Sequence, residues 1–279
     1  MAMLGYAQTK DPDGGRVYTL GTNSAEQDRL RQQDLCGQSL ALLGHVELEP
    51  GQRAIDIGCG PQGILDLLAD RVGPDGHVVG LEALPEHVAL ARAFVDQHAL
   101  TNVHIVEGDA RRTGLSANSF DLAHARRMLV NVPRPAEVVA EMVRLVRPGG
   151  WLACHEPDVI AVCHPPHSAW DRLCEVFFDV FHQDGADPHI GRSVAKMCHD
   201  AGLLDVGVQV QADAYPIGHP RRTVLLEHVR SLTPKILDRG LLDERELDDL
   251  HRAASEHLSD ARTVVVTLLM FQVWGRKPA

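Results

Sequence analysis

Between residues 53 and 155 short apolar runs alternate with amphipathic stretches. The runs are 53–57, 77–81, 103–106, 120–125 and 150–155; helical patterns follow over 63–71, from Pro85 and from Pro135. Strands separated by helices of that length need crossover connections, so their sheet is parallel and buried on both faces. That requirement predicts an α/β, doubly wound fold. Over 135–147, Val138, Val139, Met142, Leu145 and Val146 form one stripe, and Glu137, Glu141 and Arg144 are expected to face out.

The ends of the chain depart from this rhythm. Asp-Pro-Asp-Gly-Gly at 11–15 predicts an extended arm, and from Ser24 a leading helix is expected with Leu30, Leu35, Leu40 and Leu42 on its apolar side. Two β-prone stretches, 206–215 and 263–274, enclose a charged helical insertion and are expected to pair antiparallel. The predicted organisation is an N-terminal arm and helix over 1–45 and one domain over 46–279, with helical caps near 164–187 and 219–261.

Composition narrows the function. Lys plus Arg number 27 against 38 Asp plus Glu, a net charge of −11, and aromatic residues are only 4%. A polyanion would be repelled and a base-stacking platform has little to build with, so nucleic acid is not expected as a partner. Cys36, Cys59, Cys154, Cys163, Cys174 and Cys198 form no C-x-x-C pair and read as reduced thiols of a cytoplasmic protein. The first residues show no signal-peptide pattern, and the densest later apolar run, 264–271, is far too short to span a bilayer, so no membrane partner is expected.

The first strand runs into Asp56-Ile57-Gly58-Cys59-Gly60-Pro61-Gln62-Gly63, a G-x-G-x-x-G between a predicted strand and a helix. Glycine suits a tight turn that a ligand approaches closely, but nicotinamide and flavin enzymes share the motif. Glu82, at the end of the second strand, can accept hydrogen bonds from both ribose hydroxyls of an adenosine-containing ligand. Two features favour a ligand with a positive centre over a dinucleotide. Asp56 lies two residues before the first glycine, and Gly108-Asp109-Ala110 offers an acceptor and a main-chain donor for adenine. The chain also lacks a second domain large enough to bind nicotinamide and substrate jointly.

With these residues the chain resembles class I S-adenosylmethionine-dependent methyltransferases, in the ubiquinone-biosynthesis-like and bacterial natural-product branch. The resemblance extends over almost the whole chain. It rests also on Tyr18-Thr19-Leu20-Gly21, Ala125-Arg126-Arg127-Met128-Leu129, Arg147-Pro148-Gly149-Gly150, Glu156-Pro157-Asp158, the 185–192 segment and Val273-Trp274-Gly275-Arg276-Lys277-Pro278. It implies a Rossmann-like seven-stranded sheet of order 3-2-1-4-5-7-6 with strand seven antiparallel, and S-adenosyl-L-methionine at the carboxyl ends of strands one to four. It further implies that Asp56, Gly58 and Gly60 surround the methionine part, Glu82 with Ala83 binds the ribose, and Asp109 with Ala110 holds the adenine. Arg126 joins the cofactor set, and Tyr18, Gly21 and Gln33 close over it. This branch often carries a histidine where this chain has Asn131, so no base is assigned there.

The expected function is methyl transfer to carbon, oxygen or nitrogen of a small organic acceptor of bacterial specialised metabolism, with an aromatic or indole-like scaffold as the guess; a homodimer is allowed. A non-catalytic S-adenosylmethionine-binding regulator and a nicotinamide-dependent oxidoreductase are the alternatives. The post-strand-four segment lacks an Asn/Asp-Pro-Pro-aromatic loop and the chain lacks any Pro-Cys pair, against nucleic-acid methylation. His155 and Asp158, where the fifth strand is expected to end, are the candidates to accept or orient a proton of the nucleophile. Sixteen histidines show no zinc-like spacing, so no metal is expected. Trp170, Phe177, Phe178 and Phe181 are placed in a roof over the pocket, and Asp243, Glu244, Glu246, Asp248 and Asp249 on a solvated helix face.

Overall fold

The computed structural model describes residues 38–160 and 162–279. Tyr18, Gly21 and Gln33, with Leu30 and Leu35, lie outside the described residues. The sheet strands are β1 (Arg53–Ile57), β2 (His77–Glu82), β3 (Val103–Glu107), β4 (Phe120–Arg126), β5 (Val146–Asp158), β7 (Leu204–Ala212) and β9 (Leu269–Arg276). Their order is β3-β2-β1-β4-β5-β9-β7, with β9 antiparallel to both neighbours and the first five strands parallel. Counted among its own strands this is 3-2-1-4-5-7-6, as the resemblance implies.

Burial on both faces follows from the parallel pairing. On β1, Ile55 and Ile57 join one apolar cluster while Ala54 joins the other, and all three are fully buried. Burying such a side chain contributes roughly 1.5–3 kcal/mol for Ile, so the alternation fixes the strand's register against the helix layers. The helices of those layers include α1 (Gln38–Leu43), α2 (Leu65–Val72), α3 (Pro85–Gln97) and α4 (Pro135–Leu145). Proline at the start of α3 and of α4 presets the first helical φ where no donor is lost.

Three details correct the sequence expectations. Leu42 is buried but Leu40, on the same predicted apolar side, is 59% exposed. Glu141 does not face out: it is buried against Thr113 N and Oγ1 (2.9 and 2.6 Å) and Arg144 Nε (2.7 Å). Those partners, Arg144 foremost, hold its carboxyl down to about 2. The 263–274 stretch is two strands, because β8 (Val264–Val266) leaves the main sheet to pair antiparallel with β6 (Val162–His164).

That small sheet clasps two helical segments together. The first carries α5 (Ser168–Gln183), followed by α6 (Gly191–Asp200); the second carries α7 (Val224–Ser231), α8 (Thr233–Asp238) and α9 (Glu244–Leu258). α5 packs against α7, α8 and α9. Asp184, just past α5, pairs with Lys235 (2.6 Å) and Arg239. Arg222 is 5% exposed and its guanidinium donates to four carbonyls: Leu258 (2.8 Å), Tyr215 (2.6 Å), Asp260 (3.1 Å) and Thr263 (2.7 Å). The charges named on α9 and at its start are exposed. No helix among the described residues is long and apolar enough to cross a membrane.

Candidate active site

A crevice of about 460 Å³ opens at the carboxyl ends of the parallel strands, the place where open α/β sheets present a ligand site between strands that diverge in direction of crossover. Its first half is built on β1, β2 and β3. After Ile57 the chain turns at Gly58 (φ 68°) and Gly60 (φ 59°), conformations that L side chains rarely adopt. The loop is stitched to β2 by Gly58 and Cys59 amides donating to Leu81 O at 2.8 and 3.0 Å. A Cβ added at Gly60 would meet nothing within 4 Å, because that position opens into the crevice.

Glu82 ends β2 and lines the crevice, 8% exposed. Its Oε2 accepts from Gly60 N (2.9 Å), and its Oε1 from Ala83 N and Leu84 N (both 2.9 Å). One carboxylate therefore joins the glycine loop to the start of α3 and still faces the site. Asp56, level with His124 across the β1–β4 pairing, accepts from His124 Nδ1 at 2.7 Å and from Ile64 N at 3.2 Å. It lies directly beneath the loop: a Cβ on Gly63 would sit 2.2 Å from Asp56 Oδ2. Asp109 accepts from Arg111 N (2.9 Å) and Arg111 Nη2 (2.8 Å), and Ala110 borders it. Asp56, Gly58, Gly60, Glu82, Ala83, Asp109, Ala110 and Arg126 thus line one continuous surface.

The second half lies beyond β4 and β5. Arg127 takes φ 51° and begins a sharp turn into the 3-10 segment Leu129–Asn131. Glu156, fully buried, accepts from the amides of Met128 (2.9 Å), Leu129 (3.0 Å) and Val130 (3.2 Å). Burial pushes its carboxyl up to about 7, opposed by those three amides. Around this turn most of the lining is apolar, with Met128, Val130, Val132, Pro157, Val159 and, from α5, Phe177 and Phe181; Arg127 and Asn131 are its polar members. Phe177 and Phe181 are core and lining at once, their rings 4.5 Å apart. His228 of α7 and Leu268, between β8 and β9, complete the far wall.

The two candidate proton acceptors stand elsewhere. His155 is 1% exposed and does not line the crevice. Burial first, then the charges of Arg127 and Arg126, hold its imidazole well below the ordinary range, so it is neutral. Asp158, 2% exposed, is consumed by His189 Nδ1 (2.8 Å) and Arg192 Nη2 (2.8 Å), and it does not line the crevice either. Cys59 does line it, but burial beside Asp56 and Glu82 raises its thiol well above the ordinary range, which leaves it a poor nucleophile. Among the described residues no group of three or more His, Cys, Asp or Glu is placed to hold a metal ion.

Sequence reasoning did not single out His87, Met128, Val159, His228 or Leu268 as lining residues. His87 had a signal, since it sits in the first turn of the helix that follows Glu82. Met128 and Val159 lie in or beside the motifs after strands four and five, whereas His228 and Leu268 come from distant segments that nothing local marks.

Comparison with known proteins places this geometry. Residues 48–192 match the family described as methyltransferase domain. A 37.1 kDa transposon protein of Streptomyces fradiae is 34% identical over 58% of this chain and 46% of its own length. A demethylmenaquinone methyltransferase of Listeria welshimeri is 31% identical over 48% of this chain and 54% of its own length. The chain thus spans about half the length of these curated relatives. The solved phosphoethanolamine N-methyltransferase 2 of Haemonchus contortus, in complex with phosphomonomethylethanolamine and S-adenosylhomocysteine, superposes with a TM-score of 0.57 at 20% identity, over 88% of this chain and 53% of that one. With more than half its length matched to the family and the seven-stranded sheet in the expected order, the chain belongs to the methyltransferase-domain family, on the class I S-adenosylmethionine-dependent fold.

Proposed function

We propose that the protein transfers the methyl group of S-adenosylmethionine to a small, largely apolar organic acceptor. The observation that carries this reading is the join within one crevice: a carboxylate-and-glycine surface at β1 to β3 continuous with an apolar compartment under the α5–α7 cap. The donor set suits an adenosyl sulfonium. Gly60 leaves open space where a side chain would stand, Glu82 presents a buried carboxylate to ribose hydroxyls, Asp56 adds negative charge beneath the glycine loop, and Asp109, paired with Arg111, offers an acceptor at the adenine end.

The bound cofactor supplies an electrophilic methyl on a positive sulfur, displaced in line by the acceptor. The protein's contribution is positional. The glycine loop and Glu82 fix the adenosyl end, while the turn held by Glu156 and the Phe177–Phe181 wall present the acceptor and keep water out. With a neutral acceptor the positive charge would pass from sulfur to the methylated atom and be spread between them at the transition state. A compartment that excludes water and fixes the two groups in line therefore serves the transfer, and the proton is lost only after it. The placement of His155 and Asp158 away from the crevice fits that order. The names of the demethylmenaquinone and phosphoethanolamine enzymes denote small acceptors, which supports the same scale of substrate here.

The test is to load the full chain with S-adenosylmethionine and follow S-adenosylhomocysteine release against a panel of small acceptors. Release with one of them supports the reading; cofactor affinity with no release from any of them supports a binding protein instead.

A further inference from the structure

Asn131 stands in the second half of the crevice, at the end of the turn after β4, and has a buried group with no partner among the described residues. Its side chain is 5% exposed and lines the crevice. Its Nδ2 donates to Arg127 O at 2.9 Å, and its Oδ1 has no hydrogen-bond partner among the described residues. The amide cannot be turned round to cure this, because rotation would set Oδ1 against the Arg127 carbonyl oxygen, two acceptors face to face. A buried acceptor left unpaired costs stability, and a protein that keeps one at a ligand site uses it on the ligand.

The group is also held in place. Asn131 ends the 3-10 turn whose Met128, Leu129 and Val130 amides are gathered by Glu156, and its own amide N bonds Met128 O at 3.0 Å. The crevice it lines also presents Val130, Val132, Val138, Phe177 and Phe181, with Arg126 and Arg127 as charged members of the lining. A preorganised carbonyl oxygen in an apolar compartment discriminates strongly between a ligand that donates a hydrogen bond and one that cannot.

We infer that Asn131 is the residue that selects and orients the acceptor: its Oδ1 accepts a hydrogen bond from an O–H or N–H carried on a flat apolar ring system seated against Phe177 and Phe181. An amide oxygen does not take up the proton, so Asn131 aligns the nucleophile without deprotonating it; the methylated O–H or N–H, made strongly acidic by its positive charge, loses its proton to water on product release. This inference rests on the methyltransferase reading and refines its substrate class.

The test uses the full chain saturated with S-adenosylhomocysteine, with 2-naphthol and naphthalene as probes in equilibrium titrations. Wild-type protein is expected to prefer 2-naphthol by about tenfold or more, and Asn131→Leu to lose that preference while keeping naphthalene affinity. As a check that needs no variant, the chain has four asparagines, so the side-chain carbonyl resonance of Asn131 can be followed in 13C-asparagine-labelled wild type; it should move with 2-naphthol and not with naphthalene. An equal preference in Asn131→Leu, an unmoved Asn131 resonance, or failure of both probes to bind overturns the inference. Failure of S-adenosylhomocysteine itself to bind wild type overturns the methyltransferase reading instead, so the two are told apart at the first titration.

Discussion

At the ends of β1, β2 and β3 the carboxylates of Asp56, Glu82 and Asp109 are each engaged by nearby chain, and the surface they form is polar and rigid. At the ends of β4 and β5 the carboxylate, Glu156, is hidden behind the surface and the lining is mostly apolar, with Arg126, Arg127 and Asn131 among it, gathered from segments as far apart as Met128 and Leu268. The contrast teaches a division of labour. On the proposed function, the segment from β1 to β3 would cradle the cofactor, while the half that must suit one particular acceptor would be assembled by long-range packing of the cap.

If the halves are separate in this sense, they can be damaged separately. The largest effect is expected at Arg222, whose replacement by Ala would strand four buried carbonyls in the cap. Losses of about 4 kcal/mol are typical when a buried charged hub is removed. Denaturant unfolding should show that loss, yet below the transition S-adenosylhomocysteine affinity by calorimetry should stay near wild type. Lost cofactor binding in folded Arg222→Ala would break the division.

Next in size is Gly63→Ala, which places a methyl 2.2 Å from Asp56 Oδ2 at φ 52°. Strain and displacement there should cost about 2–3 kcal/mol and, unlike the cap variant, should abolish cofactor binding. A variant that binds normally would mean the loop is not the cradle. Glu82→Gln, which keeps the shape but not the charge, should weaken S-adenosylmethionine by about 2 kcal/mol, the scale of a charge-assisted hydrogen bond. Unchanged affinity would remove Glu82 from the ribose.

Taken per pH unit, the smallest effect concerns Glu156. The Glu156 carboxyl titrates near 7 in the fold against an ordinary 4.5. Between those values the unfolded chain has released a proton that the fold retains, so this group's contribution to stability falls as pH rises through the window and levels off above about 7. Relative to Glu156→Gln, wild type should gain about 1 kcal/mol for each pH unit lowered within it. Parallel stability curves for the two proteins would show that Glu156 does not titrate there.

The same division explains what could be read in the sequence. Strands β1, β2 and β4 were legible because burial on both faces leaves mostly apolar runs, broken only by residues such as Asp56 and His124, and β3 because its short run, half-exposed at the sheet edge, still follows a helix. The glycine-and-carboxylate lining was legible because Asp56, Gly58, Gly60 and Glu82 lie within a few residues of strand ends. Glu141 was misjudged because a buried charge depends on its partner, and Thr113 comes from a loop before β4. The β8–β9 division was invisible because Val264–Val266 is as apolar as the strand after it, and only pairing with the distant β6 separates them. His155 was placed at the site because the fifth strand was expected to end there, yet alternation along a strand sends neighbouring side chains to opposite faces, and it is Glu156 that reaches the turn lining the crevice.

The most direct test of the central claim is a calorimetric titration of the full chain with S-adenosylhomocysteine and, separately, with a nicotinamide dinucleotide. The account predicts saturable one-to-one binding of the first and none of the second. Binding of the dinucleotide, or of neither, would contradict it.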